Sequence, residues 1–235
     1  MGAALLLGAW LLTQTPASPR DDSWADCRKD DADSRIKGCS AVILAAAETP
    51  HDLAEAYHNR GNANRSKQFL DLALQDYNNA IRLNPAFAEA YADRCVVLVL
   101  LGRFAESIPD FSRTIELDPA NVDAIFDRGI AYEAMGLADL AIDDFSAAIL
   151  HGPRDARRLE RRGTVYFRNK NYDKALADYD EAAVLDPQYA PALFGRGVVK
   201  RIQGDAAGGA SDIANAKRLQ PNVDKEMGLA GVKEP

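Results

Sequence analysis

The sequence of 235 residues predicts an all-α protein, a right-handed α-solenoid of about five helix–turn–helix repeats of 34 residues behind a short N-terminal helical cap. Three observations predict it. First, Pro85, Pro119, Pro153, Pro187 and Pro221 follow one another at a constant step of 34 residues. Second, other columns keep the same step. Small residues fall at Gly61, Cys95, Gly129, Gly163 and Gly197, and again at Ala73, Ser107, Ala141, Ala175 and Gly209. Bulky residues fall at Tyr77, Phe111, Phe145, Tyr179 and Ile213, followed by Ala80, Thr114, Ala148, Ala182 and Ala216. Third, apolar residues within each period recur at three- and four-residue steps, as amphipathic helices require, and no strand-like alternation of useful length interrupts them. A constant period of this size marks an array whose units bury their faces against one another, not one closed core. Such an array favours a binding surface over a catalytic cleft.

Each period divides into two helical stretches. In the third they run over Val122–Met135 and Leu137–His151. Gly102, Gly136 and Gly204 sit at the turn between the two, where a helix C-terminus takes a left-handed residue. The two small columns fall where the paired helices approach closely. The Pro column starts the next helix or its preceding turn, with Asn84, Asp118 and Asp186 before it as caps. The repeats are read as 54–87, 88–121, 122–155, 156–189 and 190–223.

These columns resemble the tetratricopeptide repeat family, whose 34-residue unit carries a large apolar residue, then a small residue, an aromatic, Ala, an aromatic, Ala and Pro. The third repeat fits best, with Ile125, Gly129, Tyr132, Gly136, Ala141, Phe145, Ala148 and Pro153. The first departs at Asn64, where an aromatic is usual. The second departs at Cys95, Leu98, Ser107 and Thr114. The fifth is degenerate, with Lys200 at an aromatic position and Gly208-Gly209 inside its second helix.

The resemblance implies a concave face lined by the first helices of successive repeats, there to hold a peptide or helix. The residues it assigns to that face are His58 and Asn62, then Ala92, Val96 and Val99, then Phe126, Ile130 and Glu133, then Glu160, Thr164 and Phe167, and finally Phe194. The middle is apolar and the rim charged, which suits a docked segment. Ala92, Val96 and Ile130 either contact such a ligand or simply pack adjacent helices. Phe126 and Phe167 exceed in size what a helix seam needs. One subtype of the family captures chaperone C-termini through a clamp of Lys, Asn and Arg. Asn62 is present here, but His58, Asp93, Asp123 and Asp127 occupy the other clamp positions, and acidic groups there repel a carboxylate.

Cys27 and Cys39 are separated by the same interval as the two small columns and lie one period before Gly61 and Ala73. They therefore occupy facing positions of a partial leading repeat and suit a disulfide, with a gain of about 3 kcal/mol for so short a loop. Residues 24–50 read as a stapled cap, within a linker and cap region spanning 18–53, with Asp33 capping a helix from Ser34 to about Ala47 and the Asp-rich segment before it too polar for a full first helix. A two-thiol metal site is the alternative for the pair. Cys95, in a small-residue column, packs as a free buried thiol.

Two charged columns are complete. Arg60, Arg94, Arg128, Arg162 and Arg196 each precede the first small column, and Asp76, Asp110, Asp144, Asp178 and Asp212 each precede the bulky column. Matched numbers of opposite charge favour a structural ion pair in every repeat, within its helix pair or to a neighbour, over a ligand-binding stripe.

The net charge of −7 argues against nucleic acid as the main partner. The basic run Arg154–Arg162 is interleaved with Asp155 and Glu160 and reads as a solvated helix face. The apolar run Ala3–Leu12, with small residues at Thr15 and Ala17, reads as a signal peptide over residues 1–17 and places the protein in the periplasm or outside the cell. It lacks a basic n-region, so either the true start lies upstream of Met1 or the signal is atypical; a cytoplasmic apolar tail is the alternative. No later stretch is long enough to span a membrane. The histidines are scattered, and His151, in a column otherwise of Leu, is expected to be a partly buried packing residue. No catalytic grouping, phosphate loop or metal-ligand spacing stands out. The expected function is that of a non-enzymatic scaffold for a protein or peptide partner, with no cofactor, metal, nucleic acid or small-molecule substrate. A self-associating module, in which the fifth repeat and a C-terminal tail 224–235 leave an apolar end open, or an accessory subunit of an envelope complex, stands as the alternative.

Overall fold

The structure, a computed structural model, describes residues 19–234; the expected signal segment lies outside the described residues. The described residues form helices and turns, with no strand among them, in an all-α solenoid of helical hairpins. The chain divides into two compact units at Asn84–Pro85.

The first unit contains α1 (Pro19–Cys27), α2 (Ala32–Ala45), α3 (Pro50–Ser66) and α4 (Leu70–Leu83). The cap of α2 is Asp31, not Asp33: its backbone is extended and its carboxylate accepts from the Ser34 N–H at 2.8 Å, while Asp33 sits inside the first turn. The Asp-rich stretch before it is a turn, as its polarity requires, so the cap's first helix stops at Cys27. Asp21 and Asp22 favour the N-terminal end of α1, and Trp24 and Cys27 bury against Cys39, Val42 and Ala56. The Cys27 and Cys39 sulfurs lie at disulfide distance, with Cα atoms 4.5 Å apart.

The second unit contains α5 (Ala88–Leu100), α6 (Phe104–Leu117), α7 (Val122–Ala134), α8 (Ala138–His151), α9 (Ala156–Arg168), α10 (Tyr172–Leu185), α11 (Ala190–Ile202), α12 (Ala206–Leu219) and α13 (Val223–Leu229). Odd and even helices pair as hairpins, and each hairpin packs on the next. The bulky column fills each hairpin: Phe111, Phe145 and Tyr179 are buried, and a Cβ on Gly129 would stand 2.7 Å from the Phe145 ring. The small column is therefore a steric requirement of the aromatic one. Gly208-Gly209 does not break α12. Asp205 caps it by accepting from Gly208 N–H at 2.9 Å, and a Cβ at Gly209 would stand 2.6 Å from the Gly197 carbonyl, so glycine permits backbone-to-backbone approach.

Three sequence expectations change. Asn84, Asp118 and Asp186 end the preceding helices, and Asp118 and Asp186 accept from the Ala120 and Gln188 N–H groups within the turn; the N-cap positions of the helices that follow are Phe87, Asn121 and Tyr189, of which Asn121 alone caps through its side chain. His151 is exposed, because the Leu column it occupies lies at the margin of the core, where Leu83, Leu117, Leu185 and Leu219 are themselves only half-buried. The expected tail is largely α13, whose Val223 and Met227, with Val232 beyond it, bury against Phe167, Phe194 and Val198. Arg201 and Lys217 donate to Glu234 at 2.8 and 2.6 Å and hold the segment down.

The hairpin turns share one geometry. Gly102, Gly136 and Gly204 have φ of +70°, +75° and +96°, and Gln68 and Lys170 fill the same column at +62° and +59°. In each, the next N–H reaches back five residues, as from Arg103 to the Leu98 carbonyl and from Asn171 to that of Tyr166. A Cβ at Gly136 would meet nothing within 4 Å, so only backbone strain separates the residues at this column. Lys170→Gly is expected to raise stability by about 0.5–1 kcal/mol and Gly136→Ala to lower it by about 1 kcal/mol, read from denaturant midpoints at unchanged slope.

Candidate functional site

The Arg and Asp columns meet inside every hairpin. The Arg on the first helix gives two parallel hydrogen bonds to the Asp on the second: 3.0 and 2.6 Å for Arg60–Asp76, 2.6 and 2.6 Å for Arg94–Asp110, 2.8 and 2.8 Å for Arg128–Asp144. Arg162–Asp178 follows at 2.9 and 2.7 Å and Arg196–Asp212 at 2.8 and 2.7 Å. The carboxylates of Asp76, Asp110, Asp144 and Asp178 are buried. The remaining guanidinium nitrogen reaches the preceding hairpin: Arg128 to Ser112 at 3.1 Å, Arg162 to Ser146 at 3.0 Å, Arg196 to Asp180 at 3.4 Å. Arg128, Arg162 and Arg196 thus each tie their own helix pair and the one before it, as Arg60 does in the first unit through Ser40 at 3.0 Å.

A second periodic pairing links the bulky column to the first helices. Where the bulky residue is Tyr, its partner is polar: Tyr77 donates to Asn62 at 2.7 Å, and the Tyr179 and Thr164 hydroxyls lie 3.0 Å apart. Where it is Phe or Ile, the partner is apolar: Phe111 with Val96 around one slot, Phe145 with Ile130, Ile213 with Val198. Asn62 and Thr164 therefore satisfy buried phenols, as polar groups in a core must be satisfied.

This changes the first-helix face expected to hold a partner. Phe167 and Phe194 are buried beneath α13 and Val232, with Phe167 edge-on to Tyr172 at 5.5 Å. Glu160 and Thr164 are buried too, with Thr164 donating to Glu160 at 2.8 Å. His58 packs on the Tyr77 ring at 5.9 Å, and Phe126 on Phe145 at 5.3 Å. Ala92, Val96, Val99 and Ile130 stay half-exposed. The open part of the face in the second unit is thus carried by α5 and α7.

Two concavities lie there. A slot of about 140 Å³ is walled by Val96, Val99, Leu100, Phe111 and Ile130, with Asp127 at its edge. Burial, then the neighbouring Asp123, hold the Asp127 carboxyl above the usual range. Beyond Ile130, a cavity of about 430 Å³ is bounded by Glu133, Ala134, Arg161, Arg168 and Leu229. Glu133 is buried. Its Oε1 accepts from Arg168 at 3.2 Å; its Oε2 has no hydrogen-bond donor among the described residues, and Arg161 stands off at 3.8 Å. Burial raises the Glu133 pKa as well.

The basic run is not a uniform solvated face. Arg154 and Arg157 are exposed, but Arg158 is buried, donating to the Pro153 carbonyl at 3.1 Å and to Asp123 at 2.9 Å. The signal was its column, which holds Ala90, Ala124 and Ala192 in the other repeats of the second unit. Gly152 makes the room, since a Cβ there would stand 2.0 Å from the guanidinium.

An array of helical hairpins with a shared first-helix face defines the class of helical-repeat proteins that present extended surfaces. The tetratricopeptide repeat model matches residues 53–122 and 126–190, more than half of the chain, which belongs to that family. A curated relative, an uncharacterized protein of Methanocaldococcus jannaschii, is 35% identical over 54 residues, 23% of this chain; the match spans 63% of that relative's length. Among solved structures, YrrB, described as a TPR protein with an unusual peptide-binding site, superposes with a TM-score of 0.67 at 21% identity, over 83% of this chain and 98% of its own. MamA from Desulfovibrio magneticus gives 0.67 at 20% identity, over 72% and 96%. A tetratricopeptide repeat protein from Parabacteroides merdae gives 0.57 at 20%, over 92% and 86%. These structures share the fold.

Burial holds the Glu160 carboxyl above its ordinary range, against the smaller opposing effects of Arg161 and Thr164. A folded-state pKa above the unfolded one means the ionised form is disfavoured on folding, so the cost is absent at low pH and grows as pH rises past the unfolded value. Glu160→Gln keeps the acceptor for Thr164 and removes the charge. It is expected to melt about 2–4 °C higher than wild type at pH 8 and to match wild type near pH 3.5, by thermal melts at both.

Proposed function

We propose that the protein is a non-enzymatic scaffold that holds a partner segment, a peptide or a helix, on the first-helix face of α5 and α7. The observation that carries this is the apolar slot of Val96, Val99, Leu100, Phe111 and Ile130, which leaves a side-chain-sized apolar recess open and sets a carboxylate beside it. The family supports it, since tetratricopeptide repeats are generally scaffolds for proteins or peptides, and the peptide-binding site named for YrrB lies on the same fold. The Arg–Asp pairs, being satisfied within and between hairpins, are assigned to architecture and not to the ligand.

The proposed location is outside the cytoplasm. The Cys27 and Cys39 sulfurs at disulfide distance suit an oxidising compartment and agree with the apolar N-terminal run read as an export signal. No helix of the described residues is long and apolar enough to cross a membrane.

Affinity capture from an envelope extract tests the reading. The baits are wild type, Leu100→Glu/Ile130→Glu, and Leu150→Glu, which alters an exposed residue of α8. Partners retained by wild type and Leu150→Glu but lost from the double variant are expected. Identical partners on all three baits contradict the assignment of the face. No partner on any, with dimers by light scattering, favours self-association.

A further inference from the structure

The slot and the cavity beyond it share Ile130, and α7 runs between them. Asp127, Ile130 and Glu133 are spaced three residues apart and follow one another along the helix. Both carboxylates are short of donors: no side chain among the described residues hydrogen-bonds Asp127, and Glu133 Oε2 is buried without a hydrogen-bond donor, its ion-pair partner Arg161 standing 3.8 Å away. A buried carboxylate oxygen without a donor is costly, and a bound donor offsets that cost. The cations of α5 and α7 supply none, because Arg94 and Arg128 are committed to Asp110 and Asp144. Among the described residues, the cation bonded to the other carboxylate of α7, Asp123, comes from α9 as Arg158. The slot is apolar with Asp127 at its edge, and the cavity beyond sets Glu133 beside Arg161 and Arg168. Leu229, almost wholly exposed, stands at the far rim of the cavity, where a bound chain would cover it.

Resting on the scaffold reading, we infer that the partner segment is basic and amphipathic: an aliphatic or aromatic anchor fills the slot, a Lys or Arg next to it pairs with Asp127, and an N–H further along meets Glu133 Oε2. The slot suits one such side chain, since an apolar cavity of about 150 Å³ accepts a benzene-sized group. Asp127 and Glu133 lie about 9 Å apart along the helix axis, the reach of about three residues of extended chain. Beside the slot an acidic side chain meets repulsion from Asp127, the one charged group that lines it among the described residues.

Fluorescence anisotropy with the full chain tests this, using three short synthetic peptides in which Leu alternates with Lys, with Glu, or with Ser. The Lys–Leu peptide is expected to bind, and the Glu–Leu peptide to bind at least ten-fold more weakly. Asp127→Asn is expected to weaken the Lys–Leu complex about ten-fold, whereas Asp139→Asn, an equal charge change at an exposed site on α8, leaves it unchanged. Circular dichroism confirms that the variants fold. Equal binding of Lys–Leu and Glu–Leu peptides, or loss by the same factor in both Asn variants, overturns the inference. If the Ser–Leu peptide binds as tightly as Lys–Leu and both are lost on Leu100→Gln, the charge preference fails and the face stands. If no peptide responds to Leu100→Gln, both the inference and the face fail.

Discussion

The guanidinium–carboxylate pair inside each hairpin is the constraint on which the rest of this structure depends. It places a planar, two-bonded contact at the same height in five hairpins, from Arg60–Asp76 to Arg196–Asp212. Because four of the carboxylates are buried, the pair acts less as a gain in energy than as a restriction on alternatives: any register that removes the Arg leaves a buried charge uncompensated. The third guanidinium nitrogen extends the restriction to the preceding hairpin through Ser112, Ser146 or Asp180. The angle within a hairpin and the stacking between hairpins are thereby fixed by one side chain. A surface spread over several helices is useful for recognition only if those helices hold a common register.

With register fixed, the identity of each inner side chain follows from its partner. Tyr77 and Tyr179 require Asn62 and Thr164, and the Phe and Ile hairpins require Val96, Ile130 and Val198. The face is consequently uneven. Around α9 and α11 the C-terminal segment closes it, with Val223, Met227 and Val232 completing a core that includes Phe167 and Phe194. Around α5 and α7 no segment among the described residues fills the slot, and Asp127 at its edge is left to whatever binds.

Much of this was legible from the period. The columns place the helices to within a residue or two, locate the glycine turns and pair the Arg column with the Asp column. What was not legible has identifiable causes. Phe126 and Phe167 look alike in sequence, but whether each is covered depends on α13, which lies at the end of the chain and carries no repeat signal of its own. Glu133, Glu160 and Thr164 sit at positions the resemblance gives to a ligand, but Thr164 is buried against the Tyr179 hydroxyl, Glu160 against Thr164, and Glu133 beside Arg161 and Arg168 from α9. Gln68 and Lys170 adopt a left-handed backbone that their side chains do not favour; the column predicts it where the residue type does not. Arg158 was hidden by the charged run around it, although an arginine among alanines in an inward column is the one anomaly that marks it.

The most direct test is a double-mutant cycle on the pair in the best-matched repeat. Arg128→Ala, Asp144→Ala and the double variant are compared with wild type by denaturant unfolding, alongside affinity for a peptide that binds the α5–α7 face. A coupling energy of about 1.5–3 kcal/mol with affinity changed less than two-fold is the result the account predicts. Coupling below about 0.5 kcal/mol, or a large loss of affinity at unchanged stability, would contradict it and return the charged columns to the ligand.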